Sequence, residues 1–260
     1  MDLPSYFTLN NGHKVPALGL GTFQGTSGNS KVKEAVKLAL KLGYRHIDGA
    51  NAYGNEKEIG EAIKESGIPR EEIFVTSKLA QTWHHPDDVE RALEVTLRDL
   101  QLDYGNQFHM PTRQVRTTQQ SGTQAVMARR YPETWKAMEK LVDSGKVRSI
   151  GLSNFNILKT KRFEDSTIVD IAKKCKMSPA QVCLSWLVQR GIPAVPKSVQ
   201  EVHMRENLQL KRLPDEDFET LQKLWLKRGP IRFLDPSRHI GFDIFDEEKD
   251  EPLADKAPWD

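Results

Sequence analysis

The sequence predicts an α/β fold that opens with a β-hairpin. Three observations carry this. Short apolar or β-branched runs alternate with stretches of helical period along most of the chain. Glycines stand where those helices should stop, at Gly43, Gly67, Gly145 and Gly191. The strand read at 45–47 ends at Asp48, with Tyr53 in the loop beyond. A carboxylate at a strand's C-terminal end, followed by a phenol, suits the mouth of a barrel, where such folds keep their chemistry. Taken alone, the pair reads equally well as an aspartate capping a helix and a tyrosine packed on a turn.

The chain has 260 residues, 38% hydrophobic and 28% charged. That length suits one large domain or two small ones, and 1–260 is read as a single domain. A formal net charge of +2 argues against nucleic-acid or membrane partners recruited by bulk charge. No apolar run is long enough to span a bilayer, and Met1-Asp2-Leu3-Pro4 carries no signal-peptide pattern. Cys175 and Cys183 stand on what reads as one helix, about 12 Å apart in rise, too far for a disulfide. Unpaired thiols without an export signal predict a cytoplasmic protein.

Residues 6–9 and 14–18, joined through Asn10-Asn11-Gly12, predict the hairpin, because Asn-Gly is the strongest short turn signal. Residues 18–22 predict the first buried strand. Its Gly19-x-Gly21 fails as a dinucleotide fingerprint: Gly25 is one position late, and no acidic residue follows in the required setting. Val32, Ala35, Val36, Ala39 and Leu40 share one helical face that Gly43 closes. Beyond the strand at 45–47, Ile59, Ala62 and Ile63 mark a helix stopped by Gly67. Residues 73–77 are the clearest strand and lead to Lys78. Pro86, Asp87 and Asp88 announce a helix that buries Val89, Ala92, Leu93, Leu97 and Leu100. The acids serve there as a first-turn cap, so His84-His85 beside them is not read as a metal site.

At 102–111 the rhythm expects a fourth strand, but the stretch is polar and carries Gly105, a poor match for a buried parallel strand. Residues 112–130, rich in Thr, Gln and Arg without a period, predict a loop or disorder. A helix from Pro132 (Trp135, Met138, Leu141, Val142) runs to Gly145, and 147–152 predict the next strand. There the alternation breaks. A helix capped near Asp165 or Ser166, with Ile168, Val169, Ile171, Ala172 and Cys175, leads directly to another from Ser178-Pro179 (Val182, Leu184, Trp186, Leu187). Residues 192–195 are the last strand. A short helix with Glu206-Asn207 and one from Asp215 (Phe218, Leu221, Leu224, Trp225) follow, and 230–260 read as a tail.

Several runs resemble the aldo-keto reductases in order along nearly the whole chain. They are Gly19-Leu20-Gly21-Thr22-Phe23, residues 43–56, Thr76-Ser77-Lys78-Leu79, His109-x-Pro111, residues 145–155, and Pro196-Lys197-Ser198 through Glu206-Asn207. The resemblance implies a (β/α)8 barrel of the TIM type, here incomplete with about six barrel strands recognisable. It also implies a cytoplasmic oxidoreductase, an NADPH-dependent reductase of aldehydes and ketones that is reversible as an alcohol or polyol dehydrogenase. Its catalytic tetrad carries over to Asp48, Tyr53, Lys78 and His109. The chemistry explains these types. A carbonyl accepting hydride needs a proton, and a free phenol, with pKa near ~10, is a weak acid at neutral pH. An ammonium at Lys78 favours the phenolate of Tyr53, Asp48 holds the ammonium, and His109 orients the carbonyl oxygen.

For the cofactor, the resemblance assigns Gly21 and Thr22 to its binding face, Ser153 and Asn154 to the carboxamide, Lys197 and Ser198 to the 2′-phosphate, and Glu206 and Asn207 to the adenine. His203 stands where a second phosphate-binding arginine is usual. Arg205 is roughly 200° round the helix from it and no obvious substitute. Phe23 stands at an aromatic position of the substrate pocket, while Ala80 and Met110 replace bulky tryptophans, which implies a wider mouth. No metal, nucleic acid or membrane is implied, and the partner is a small carbonyl compound. The chain also departs from the family. Between 153–155 and the Ile168 helix, about ten residues replace two strands and a helix, including the family's carboxamide-holding Gln and nicotinamide-stacking Tyr. A closed barrel ties strand number to tilt and shear, so a second expectation is an inactive or cofactor-only relative. A translated sequence with coding segments missing would give the same pattern.

Overall fold

The structure, a computed structural model, describes residues 2–24, 28–111, 131–153 and 166–228. The expected loop at 112–130, the cap at Asp165 and the tail at 230–260 lie outside these. The hairpin forms as read. Strands β1 (Tyr6–Thr8) and β2 (Lys14–Pro16) pair antiparallel, and Gly12 supplies the left-handed turn position at φ +85°.

Five parallel strands follow in sheet order equal to chain order: β3 (Leu20–Gly21), β4 (His46–Asp48), β5 (Phe74–Lys78), β6 (Gly105–Pro111) and β7 (Val147–Ser153). Helices α1 (Val32–Leu42), α2 (Glu56–Ser66), α3 (Val89–Leu100) and α4 (Tyr131–Asp143) connect them, apart from the added 3-10 turns. The last predicted strand, 192–195, forms only isolated parallel bridges beside β3, Leu18 with Ala194 and Gly21 with Lys197. The sheet thus has five strands, with this segment bridged along its β3 edge. Among the described residues no strand joins β7 to the 194–197 segment, so the barrel is not closed.

The helices bury the faces their sequences predict. All five expected positions of α1 are buried, as are all five of α3, and Gly43 ends α1 at φ +105°. Beyond β7 come α5 (Ser166–Cys175), α6 (Pro179–Gln189), α7 (Glu201–Asn207) and α8 (Asp215–Arg228). Ser178 and Gln181 close a reciprocal capping box on α6. The two cysteines are not on one helix, as expected from their spacing. Cys175 ends α5, Lys176 turns the chain at φ +52°, and Cys183 lies on α6. The break falls where the second helix is read to start, at Ser178-Pro179, so the reading of both cysteines on one helix fails.

The larger correction concerns β6. It is the joint-longest strand of the sheet and pairs along its length with β7. Its polarity misleads because only alternate residues face one side. Phe108 and Met110 point to the helices and pack with Leu93, Met138 and Val147, while Gln107 and His109 take the inner face. Asn106 is buried but satisfied: its Oδ1 accepts from the Val75 amide at 3.0 Å and from Arg70 at 2.8 Å. Tyr104 is clasped between the guanidinium groups of Arg70 and Arg148, 4.2 and 4.1 Å from its ring centre.

The hairpin covers the N-terminal ends of the strands. Asn11 Nδ2 donates to the Arg148 carbonyl and the Ser149 hydroxyl, both at 2.9 Å. The opposite, C-terminal ends are left for chemistry. From the Asn106 network, Asn106→Leu improves the apolar character of β6 on paper but orphans the Val75 amide and one Arg70 donor. We expect it to destabilise the protein by about 1–3 kcal/mol, read as a lowered denaturant midpoint in chemical unfolding.

Candidate active site

Sheet register brings the predicted residues together. Asp48 pairs with Thr76, Lys78 with His109, and His109 with Gly151, all at the C-terminal end of the sheet. By alternation, Asp48, Lys78 and His109 lie on one face. The Lys78 ammonium donates to Asp48 Oδ1 at 2.7 Å and to the Gly49 carbonyl at 2.8 Å. The two side chains are only 14% and 15% exposed. Burial holds the Asp48 carboxyl above the ordinary carboxylate range, and the Lys78 charge opposes that rise.

Tyr53 closes a 3-10 turn over Asn51–Tyr53, ended by Gly54 at φ +64°. Asn29 braces the turn from outside, donating to the carbonyls of Tyr53 and Gly54 at 3.1 and 3.0 Å. The Lys78 ammonium lies 5.1 Å from the centre of the Tyr53 ring. Phe23 sits 5.0 Å from the same ring on its exposed side, with 58% of its own surface open. An aromatic wall therefore stands beside the phenol, where the sequence placed a substrate pocket.

His109 is neutral. Burial and the nearby Lys78 charge depress its pKa to about 3, so one ring nitrogen donates and the other accepts. Its ring lies across Gly151 on β7: a Cβ there would be 2.7 Å from Cδ2. Gly151, Asn29 and Thr22 are contributors that sequence reasoning did not assign to this geometry. Thr22 is buried, and its hydroxyl donates to the Asp48 carbonyl at 3.0 Å. Only close approach explains the glycine, and that becomes visible once the strand register is known.

The residues assigned to the cofactor lie on both sides of this centre. Gly21 allows the last segment to cross β3, since a Cβ would stand 2.7 Å from the Val195 carbonyl. Lys197 is exposed beside it, and Ser198 is buried with its hydroxyl engaged by Gln200. Glu206 and Asn207 end α7, which Tyr44 anchors by donating to the Met204 carbonyl at 3.0 Å. Asn207 is buried against the same phenol. Arg205 is drawn to Glu201 at 2.8 Å, away from a phosphate-binding role, while His203 is exposed. Ser153 ends β7 on the far side, and Asn154 lies outside the described residues. Met110 does not widen the mouth, because its side chain is buried in the helix layer.

Concavity alone would mislead. A cavity of about 370 Å³ lies at the other end of the sheet, between the hairpin and Arg45, Phe74, Asn106 and Arg148. Among the described residues, no group of three or more His, Cys, Asp or Glu could hold a metal ion. No helix among them is long and apolar enough to cross a membrane.

The Aldo/keto reductase family model matches residues 17–168 and again 159–226. Aldo-keto reductase family 1 member A1 of Xenopus tropicalis is 39% identical over 274 aligned positions, covering 79% of this chain and 83% of that protein. An uncharacterised oxidoreductase of Schizosaccharomyces pombe is 36% identical over 288 positions, covering 85% and 89%. The solved aldose reductase of Schistosoma japonicum superposes with a TM-score of 0.78 at 31% identity, covering 96% of this chain and all of that one. Both alignments are longer than this chain's 260 residues, so these relatives carry internal stretches that it lacks.

Two buried histidines and the half-buried His109 set a pH dependence. His46 and His84 are depressed to about 4 and His109 to about 3 from 6.5. The unfolded chain binds protons below pH 6.5 that the folded one refuses, so their stabilisation is complete above 6.5 and is lost as pH falls toward 4 and 3. We expect His109→Asn to lose stability less steeply than the wild type between pH 6.5 and 4, measured by chemical denaturation.

Proposed function

The chain belongs to the aldo/keto reductase family of oxidoreductases, and on that premise we propose that it reduces aldehydes or ketones with NADPH and oxidises alcohols or polyols in reverse. The observation that carries this reading is the Lys78 ammonium, held by Asp48 at 2.7 Å and 5.1 Å from the Tyr53 ring centre, beside a neutral His109. Tyr53 gives its proton to the carbonyl oxygen as charge develops there. The adjacent ammonium stabilises the phenolate left behind, and Asp48 keeps that ammonium in place. Neutral His109 donates a hydrogen bond to the same oxygen and fixes its direction. Phe23 supplies an apolar wall for the substrate.

The residues present fit a phosphorylated dinucleotide at its adenosine end. Lys197 is an exposed cation with no ion pair among the described residues, next to Gly21, whose missing Cβ lets that segment close on β3. Lys197 and Ser198 would hold the 2′-phosphate, Glu206 and Asn207 the adenine, and Ser153 with Asn154 the carboxamide. When bound, NADPH supplies the hydride.

A second reading, an inactive or cofactor-only relative, is favoured by two observations. The relatives carry internal stretches that this chain lacks, and the described sheet is open between β7 and the 194–197 segment. Fluorescence titration with NADPH, followed by turnover of a generic aldehyde, separates the two. Tight binding with turnover supports the reductase, binding without turnover supports the second reading, and no binding at millimolar cofactor sinks the first. In the active protein Tyr53→Phe should lower kcat by about 10²–10⁴-fold while NADPH affinity stays unchanged. Retained turnover would remove Tyr53 from its role.

A further inference from the structure

Glu56 is the first residue of α2, three beyond Tyr53, and only 4% exposed. Acids in a first helical turn are favoured by the helix dipole, and burying one is costly unless its oxygens find donors. Glu56 finds three, on three different elements. Ser77 on β5 donates to Oε1 at 2.6 Å, Asn51 to Oε2 at 3.0 Å, and Thr96 on α3 to Oε2 at 3.3 Å. All three are neutral, and Glu56 makes no ion pair among the described residues. Burial, with the like charge of Asp99 as a lesser cause, raises its pKa. A buried, unpaired carboxylate with this many donors is a costly feature that packing alone would not require.

What the donors have in common is their position. Ser77 immediately precedes Lys78, its side chain pointing to the helix layer while Lys78 points inward. Asn51 opens the turn that Tyr53 closes. The carboxylate is therefore tied to the side chain of the residue before Lys78 and to that of the first residue of the Tyr53 turn, from the helix side of the sheet. We propose that Glu56 is a positioning residue that clamps the Tyr53 turn to β5 and so sets the spacing between the phenol and the Lys78 ammonium. The proposal rests on Tyr53 being the acid.

Glu56→Leu removes every acceptor from the three donors, whereas Glu56→Gln can keep its oxygen toward Asn51 and Thr96 and turn its NH₂ to the Ser77 hydroxyl, which can accept. In the full chain we expect Glu56→Leu to lower kcat for a generic aldehyde by about tenfold or more, since small misplacements of reacting groups are expensive in rate. The aldehyde KM and the NADPH Kd should stay within about twofold, the pattern of a loss confined to the chemical step. Glu56→Gln should retain most of kcat. Ser77→Ala, which leaves the carboxylate in place, should give a smaller loss of the same type and stands in if Glu56→Leu does not fold. Unchanged kcat in Glu56→Leu or Ser77→Ala, or a loss in Glu56→Gln as large as in Glu56→Leu, overturns the clamp. If the wild type is active and Tyr53→Phe is not, that failure concerns Glu56 alone. A wild type without turnover overturns the clamp together with the functional reading.

Discussion

The ion pair between Lys78 and Asp48 is the contact on which the rest of the site depends. Its members end adjacent parallel strands, and neither is well exposed. Bringing two such charges out of water costs several kcal/mol per ion before their attraction offsets it. The fold meets that cost by geometry. Lys78 also donates to the Gly49 carbonyl, and the Thr22 hydroxyl ties the Asp48 carbonyl to β3. A one-residue slip of β5 against β4 would send Lys78 to the helix side and leave Asp48 buried without a partner. The register is therefore specified from inside by charge as well as from outside by Ile47, Val75 and their neighbours in the core.

Tyr53 reaches the pair from a turn rather than from a strand, and turns wander unless braced. Asn29 holds this turn from the side of α1, and Glu56 holds it from beneath, at the start of α2. Gly54 provides the left-handed exit that brings Glu56 underneath. The fourteen residues from Gly43 to Glu56 thus place a strand, a charge, a phenol and its anchor in one short span. His109 reaches the group by a separate route, across Gly151 and through register with Lys78.

Amphipathic helices and glycine stops were legible, because their signals are local: α1 and α3 bury the residues their periodicity names. That Asp48 and Lys78 stand together is legible only through resemblance, since nothing else in the sequence shows that residues thirty apart are neighbours. The fourth strand was misjudged because its satisfaction is nonlocal. Asn106 looks wrong for a buried strand until Arg70 and the Val75 amide are seen to use its oxygen. The single-helix reading of Cys175 and Cys183 fails at the turn that the left-handed Lys176 creates, although the helix start at Ser178-Pro179 is legible in the sequence. The clamp by Glu56 was hidden behind a motif already assigned to its tyrosine.

An open sheet does not weigh equally on all parts of the site. Asp48, Lys78 and His109 come from three consecutive strands, β4 to β6, with β3 and β7 flanking them. The contacts that fix this group run between adjacent strands, within the turn beside them, and from Asn29 and α3 next to that turn, so they do not depend on how the sheet ends. The residues assigned to the cofactor are divided differently. Ser153 ends β7 at one margin of the sheet, whereas Lys197, Ser198, Glu206 and Asn207 follow the segment at the other. One molecule can span both only if the margins stand at a fixed distance, and in a complete barrel the intervening strands set that distance. On the proposed function, the group around Tyr53 is therefore the robust half of the site and the residues assigned to the cofactor are the sensitive half. On that reading, the connection between the two margins acts on affinity for the proposed dinucleotide first, and on proton transfer only through it.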